Sequence, residues 1–152
     1  MTWKPMPRYA CAVGKNEECD KIMNLTIYGK PQPKERPRVY KGHGITPTRT
    51  KNYEAKIARA WAAKYPEQAE GELFVQIIFY MPTPTSWSKS KKEKAERGLI
   101  RPIVRPDIDN LAKIVLDGLN GVAFMDDKQV IELHATKWYS AEPRTEIMVE
   151  EL

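Results

Sequence analysis

The sequence predicts an α+β fold: a single small domain in which helices pack on a mixed or antiparallel sheet of about four or five strands. Three observations carry this. The chain has 152 residues, enough for one domain that buries roughly two-thirds of its unfolded surface. Period-two and period-3.6 apolar patterns follow one another in mixed order. No internal repeat and no linker-like stretch divides the chain. With 41% hydrophobic and 30% charged residues, the composition suits a packed soluble domain rather than a disordered one.

Residues 24–28 read as a short strand, with Leu25, Ile27 and Tyr28 apolar. Pro31, Pro33 and Pro37 then forbid regular structure, so residues 34–38 form an extended basic loop. Val39 and Tyr40 start a second short strand, and residues 41–44 turn. Thr50 is placed as the N-cap of a helix from about 51 to 65. Its buried stripe is Tyr53, Ile57, Trp61 and Tyr65, and Pro66 stops it. Residues 72–81 make the best strand, with Leu73, Val75, Ile77, Phe79 and Met81 alternating onto one face. Ser90 and Glu93 fit a capping box for a short basic helix to Arg97, closed by Gly98. Residues 109–119 form a third helix with Asp109 at its N-cap and Leu111, Ile114, Val115 and Leu119 on one face. After the Asn120-Gly121 turn, residues 129–139 and 146–149 read as two strands, antiparallel neighbours across 141–145.

The ends and the cysteines narrow the class. The N-terminus shows no apolar run and no cleavage pattern, so no signal peptide is read. The longest apolar stretch, residues 73–81, is interrupted by Gln76 and falls far short of the ~18 residues a membrane span needs. Cys11 and Cys19 make no disulfide framework, and the simple expectation is a cytoplasmic protein. His43 and His134 are the only histidines, too few beside two cysteines to suggest zinc. Residues 1–22 are expected to be an N-terminal extension and residues 23–152 the compact domain.

The charge is uneven. The formal excess is +5, yet residues 30–51 hold seven cations against Glu35, and residues 86–105 hold seven against Glu93 and Glu96. Both segments are rich in turn-forming residues that bring cations to a ligand. A phosphate-tracking surface has this pattern, and so does a solvated face kept for solubility.

Between and after these segments lies an acidic set. Asp107 and Asp109, if extended, point the same way. Lys113 follows one helical turn on, and Asp117 is placed for an ordinary i, i+4 pair with it. Asp126 and Asp127 follow a turn and precede a strand, so a hairpin-like return would bring them to the first pair. Converging carboxylates repel one another, and a hard divalent cation is the usual reason to tolerate that. Magnesium with carboxylates, water and substrate phosphate is the arrangement phosphodiester hydrolysis needs. A lysine beside it would steady the scissile phosphate. The alternative is a helix cap and a surface pair with no metal. An EF-hand starting at Asp107 fails, because Ala112 and Gly118 stand where Gly and Glu are required.

The strings that carry a resemblance are Pro31-Gln-Pro-Lys-Glu-Arg-Pro-Arg38, Trp87-Ser-Lys-Ser-Lys-Lys92 and Arg105-Pro-Asp-Ile-Asp-Asn-Leu-Ala-Lys113. They continue with Leu116-Asp-Gly-Leu-Asn-Gly121, Asp126-Asp-Lys-Gln-Val130 and Glu132-Leu-His-Ala135. Over about residues 23–152 the chain resembles the RusA family of Holliday junction resolvases, small crossover-junction endodeoxyribonucleases of bacteria and their phages. The resemblance implies a RusA-like fold and a homodimer that nicks four-way DNA junctions symmetrically in recombination and repair. It implies Mg2+, or Mn2+ in its place. It assigns the metal to Asp107, Asp109 and Asp127, with Asp126 as a helper, and catalysis to these and Lys113. The DNA surface expected is Lys34, Arg36, Arg38, Lys89, Lys91, Lys92 and Arg105. A non-catalytic branched-DNA-binding protein of the same fold is the alternative. Nothing in the sequence reads a 2′-hydroxyl, so a metal-dependent RNase has no mark of its own.

Overall fold

The computed structural model describes residues 21–152. The elements are β1 (Ile22–Tyr28), β2 (Arg38–Tyr40), β3 (His43–Ile45), α1 (Thr48–Lys64), β4 (Leu73–Pro82), α2 (Lys89–Glu96), α3 (Ile108–Leu119), β5 (Val130–Ser140) and β6 (Arg144–Glu151). The expectations for Cys11, Cys19 and the rest of residues 1–20 lie outside the described residues.

The main sheet has the order β1-β6-β4-β5, with β6 antiparallel to β1 and β4, and β5 parallel to β4. It is a mixed sheet with helices on it, the α+β class expected. β2 and β3 form a separate hairpin. One expectation needs correcting: the last two strands are not neighbours, because β4 lies between them. The physical reason is apolar content. β4 buries Leu73, Val75, Ile77 and Phe79 on one face and Phe74 on the other, so it belongs inside the sheet. β5 leaves residues 131–134 exposed and suits an edge.

The chain therefore crosses over the end of β4 at residues 141–143. Glu96 of α2 pins this corner, its carboxylate accepting from the Ala141 N–H (2.8 Å) and the Ser140 hydroxyl (3.3 Å). Arg144 stacks over the Tyr80 ring at 3.9 Å and donates to the Glu142 carbonyl at 3.0 Å.

The helix starts also differ from expectation. α1 begins at Thr48 after Pro47, whose fixed φ suits a helix entry, and no side chain caps it. Thr50 is buried within the first turn, where its hydroxyl accepts from the Glu35 N–H at 3.3 Å. α2 is capped by Ser88, not Ser90, with Ser88 accepting from the Lys91 N–H at 3.2 Å. Trp87 packs edge-on against Tyr139 at 5.1 Å and fixes the chain one residue ahead of that cap. α3 begins at Ile108, so Asp107 holds the N-cap position and Asp109 lies in the first turn.

The core forms where Ile57 and Trp61 of α1 and Leu111, Ile114 and Val115 of α3 meet the sheet. The sheet presents Met23, Ile27, Val75, Ile77, Phe79, Ile147 and Val149 to them. Strands β1, β4 and β5 run in one direction and β6 in the other. The C-terminal ends of β1 and β4 therefore open at one end of the sheet. The two basic segments emerge there.

Candidate active site

Asp107 enters α3 at that end of the sheet. Its loop is held from below by Lys137, whose ammonium donates to the Val104 carbonyl (2.7 Å) and the Pro106 carbonyl (2.8 Å). Lys137 stands in register with Phe79 and so shares the helix-facing side of β5. Burial pushes its amine below the ordinary lysine value, while the Asp107 charge works the other way. The segment before the loop is clamped by Arg101. Its guanidinium donates twice to the Lys137 carbonyl (2.9 and 2.7 Å) and stacks on Trp138 at 3.3 Å.

Two open depressions flank Asp107. One is lined by Arg101, Arg105, Asp107, Asp109 and Lys137, among others. The other is lined by Lys30, Lys34, Arg36, Arg49, Arg105, Asp107 and Asn110. Asp107, Asp109 and Lys113 are exposed and, among the described residues, form no ion pair. Asp109 and Lys113 are one helical turn apart on α3. The helical backbone from Ile108 onward means that the first pair is not an extended Asp-x-Asp. The two carboxylates instead flank the first turn of a helix, whose free N–H groups favour negative charge.

Asp126 and Asp127 lie at the other end of the sheet, ahead of β5. Asp126 caps a 3-10 turn, Asp127–Gln129: its side chain accepts from the Lys128 N–H at 3.0 Å, and Gln129 accepts from its own N–H at 3.2 Å. The Lys128 N–H bond holds the Asp126 carboxyl below the usual carboxylate range. The expected hairpin return does not reach the first pair. From Asp109 to the end of α3 is about 15 Å of helix, and Val130 to Lys137 is about 23 Å of strand. Oxygens sharing one cation stand within roughly 5 Å of each other. Among the described residues, no group of three or more His, Cys, Asp or Glu comes together as a metal site.

The basic residues divide. Lys34 forms an ion-pair triad with Glu54 and with Asp117 (2.8 Å). Burial opposes its charge, but hydrogen bonds to Asp117 and Glu54 and their charges outweigh that and raise its amine above the ordinary lysine value. Asp117 thus turns to Lys34 and not to Lys113. The Lys34 N–H also donates to the Asn110 carbonyl at 2.9 Å, tying this loop to α3. Arg36 and Arg38 remain exposed with Arg105. Lys89, Lys91 and Lys92 lie on α2, with Lys91 4.1 Å over the Trp87 ring and Lys92 donating to the Thr85 carbonyl at 3.5 Å.

Sequence reasoning passed over Lys137, and it counted Lys30, Arg49 and Arg101 only as charges within the two basic segments. For Lys137 a signal exists: it breaks the apolar face that Leu133, Ala135 and Tyr139 otherwise continue along β5.

The family described as Endodeoxyribonuclease RusA matches residues 28–150. The chain is also 39% identical over 137 residues to "Uncharacterized protein YqaN" of Bacillus subtilis (strain 168), covering 86% of this chain and 96% of that protein. The chain belongs to the RusA family of endodeoxyribonucleases.

Proposed function

We propose that this protein is a magnesium-dependent, structure-selective endodeoxyribonuclease that resolves four-way DNA junctions by paired symmetric nicks, acting as a homodimer in the cytoplasm. The observation that carries the reading is the pair of exposed carboxylates, Asp107 and Asp109, at two basic depressions, with no ion-pair partner among the described residues. A pure DNA binder gains nothing from bare anions facing phosphates. Two carboxylates with room for water and a substrate phosphate match how Mg2+ is bound, and the all-oxygen donors also suit Mn2+.

Asp107 and Asp109 would hold the ion, with Asp127 of the partner subunit as third carboxylate. When bound, it supplies charge neutralisation at the scissile phosphate and an activated water. The partner enters because Asp127 stands too far from Asp107 within one chain. A second copy aligned antiparallel along the bare edge of β5, with the two-fold axis beside Glu132, sets residue 127 opposite residue 137. Residue 137 is the lysine under the Asp107 loop. Two such sites related by a two-fold axis suit a junction that has the same symmetry.

The remaining roles belong to this chain's cations. Lys113, one turn along the exposed side of α3, steadies the phosphate undergoing attack. Arg36, Arg38, Arg49 and Arg105 hold the backbone on one side, and Lys89, Lys91 and Lys92 on the other. Lys34, already matched by two carboxylates, orders the loop that presents Arg36.

The test uses a synthetic four-way junction with Mg2+. Paired symmetric nicks are expected, and Asp109→Asn should abolish them, a loss of about a thousandfold or more, while junction binding persists. Equal cutting of linear duplex sinks the junction-selective part. Salt-sensitive binding with no cutting leaves the non-catalytic reading.

A further inference from the structure

We propose that the β2–β3 hairpin is a base-stacking wedge, in which Tyr40, with His43 and Ile45 beside it, takes an unstacked base at the branch point of the DNA. This rests on the endonuclease reading and deepens it, by naming what selects branched DNA over plain duplex.

The hairpin stands off the core, with all six of its strand residues exposed. Val39 is 78% exposed, Tyr40 63% and Ile45 48%. Its turn is held short by Lys41 (φ 49°) and Gly42 (φ 79°), both left-handed as a two-residue type I′ turn requires. Tyr40 and His43 therefore flank the tip directly. The register pairs Arg38 with Ile45 and Tyr40 with His43, and residues directly opposite in a hairpin share a face. One face thus offers a phenol ring, an imidazole, a branched alkyl group and a guanidinium. Each of these stacks or packs well on a base.

The surrounding charge identifies the occupant. Residues 36–53 carry Arg36, Arg38, Lys41, Arg49 and Lys51 and no acidic residue. Among the described residues, none of the five forms an ion pair. A second copy of this chain would set like charge against like charge. A polyanion with apolar rings meets both the cations and the exposed side chains. Arg36 and Arg49 also line the depression that contains Arg105 and Asp107, so the wedge adjoins the cutting site. Intact duplex keeps its bases stacked, whereas a branch point offers free ones.

The experiment compares full-length wild type, Tyr40→Phe and Tyr40→Ala on a four-way junction with 2-aminopurine at the branch and on linear duplex, with light scattering alongside. Tyr40→Ala should weaken junction binding about tenfold, the worth of one aromatic–base stack, and change duplex binding by less than about twofold. The 2-aminopurine response should persist in Tyr40→Phe and vanish in Tyr40→Ala. If wild type neither binds nor nicks the junction, the endonuclease reading fails. If wild type resolves it and Tyr40→Ala matches wild type in affinity and fluorescence, the wedge alone is overturned. Equal loss on duplex and junction also overturns it, as does a change of oligomeric state with junction affinity intact.

Discussion

The two halves of β5 have the same backbone and opposite surroundings. Beyond Ala135 the strand is covered: Arg101 stacks on Trp138, Lys137 holds the loop before Asp107, and Glu96 pins the corner at Ser140. From Ile131 to His134 it is bare, with Ile131 and Leu133 turned to solvent beside a free sheet edge. A long uncovered edge carrying apolar side chains is a hazard that folded proteins usually blunt. Here the covered half builds a place for two carboxylates, and the bare half leads back to a third carboxylate that this chain cannot bring there. On the proposed reading, the difference teaches that the site is half built within one chain and that a partner subunit completes it at the bare half.

The contrast breaks most sharply at the bare half. Leu133→Glu is expected to convert dimer to monomer and reduce junction cleavage at least about a hundredfold, while thermal stability moves by no more than about 0.5 kcal/mol because the site is exposed. Light scattering and a cleavage assay check both parts.

On the covered half the order reverses, and stability suffers before assembly does. Gly98 has φ 78°, and an added Cβ would lie 2.8 Å from the Trp138 ring. Gly98→Ala should cost about 2 kcal/mol in a denaturant melt and leave the dimer intact. Lys137→Met removes the donor to the Val104 and Pro106 carbonyls. A loss of about 1–2 kcal/mol is expected, together with weaker Mn2+ binding read by calorimetry.

The smallest effect belongs to Lys34. Its amine is held above the unfolded value, so the triad's stabilisation is fully present below the ordinary lysine range and is lost as pH rises through the folded value. Lys34→Met should cost about 1 kcal/mol at neutral pH, and the difference from wild type should shrink only in strong alkali.

Much of this was legible from residue patterns. The alternation in residues 72–81 marked β4, the fourfold spacing of Tyr53, Ile57 and Trp61 marked α1, and the acidic string marked α3. Helix starts were misplaced by two or three residues: Pro47 starts α1 through its own fixed φ, while Trp87 and the loop ahead of Asp107 are set by tertiary contacts that a local cap signal does not contain. The neighbour order of β5 and β6 was missed because pairing across a short connection is the local expectation. The inner place instead went to the most apolar strand. The hairpin was half seen, since Val39 and Tyr40 showed as a strand while residues 41–44 read only as a turn and Ile45 was given no element. The return expected of Asp127 fails on its path: sequence order suggested a hairpin, but α3 and β5 span the sheet and separate its two ends.

The central claim is that each metal site takes Asp107 and Asp109 from one subunit and Asp127 from the other. Mixing separately inactive Asp107→Asn and Asp127→Asn proteins, with subunit exchange, tests it most directly. Random pairing makes half the dimers mixed, and each mixed dimer regains one intact site. Nicking on a single strand should then return to roughly a quarter of the wild-type site number. If every exchanged mixture stays inactive while both variants still dimerise and bind the junction, the three carboxylates do not meet across the interface.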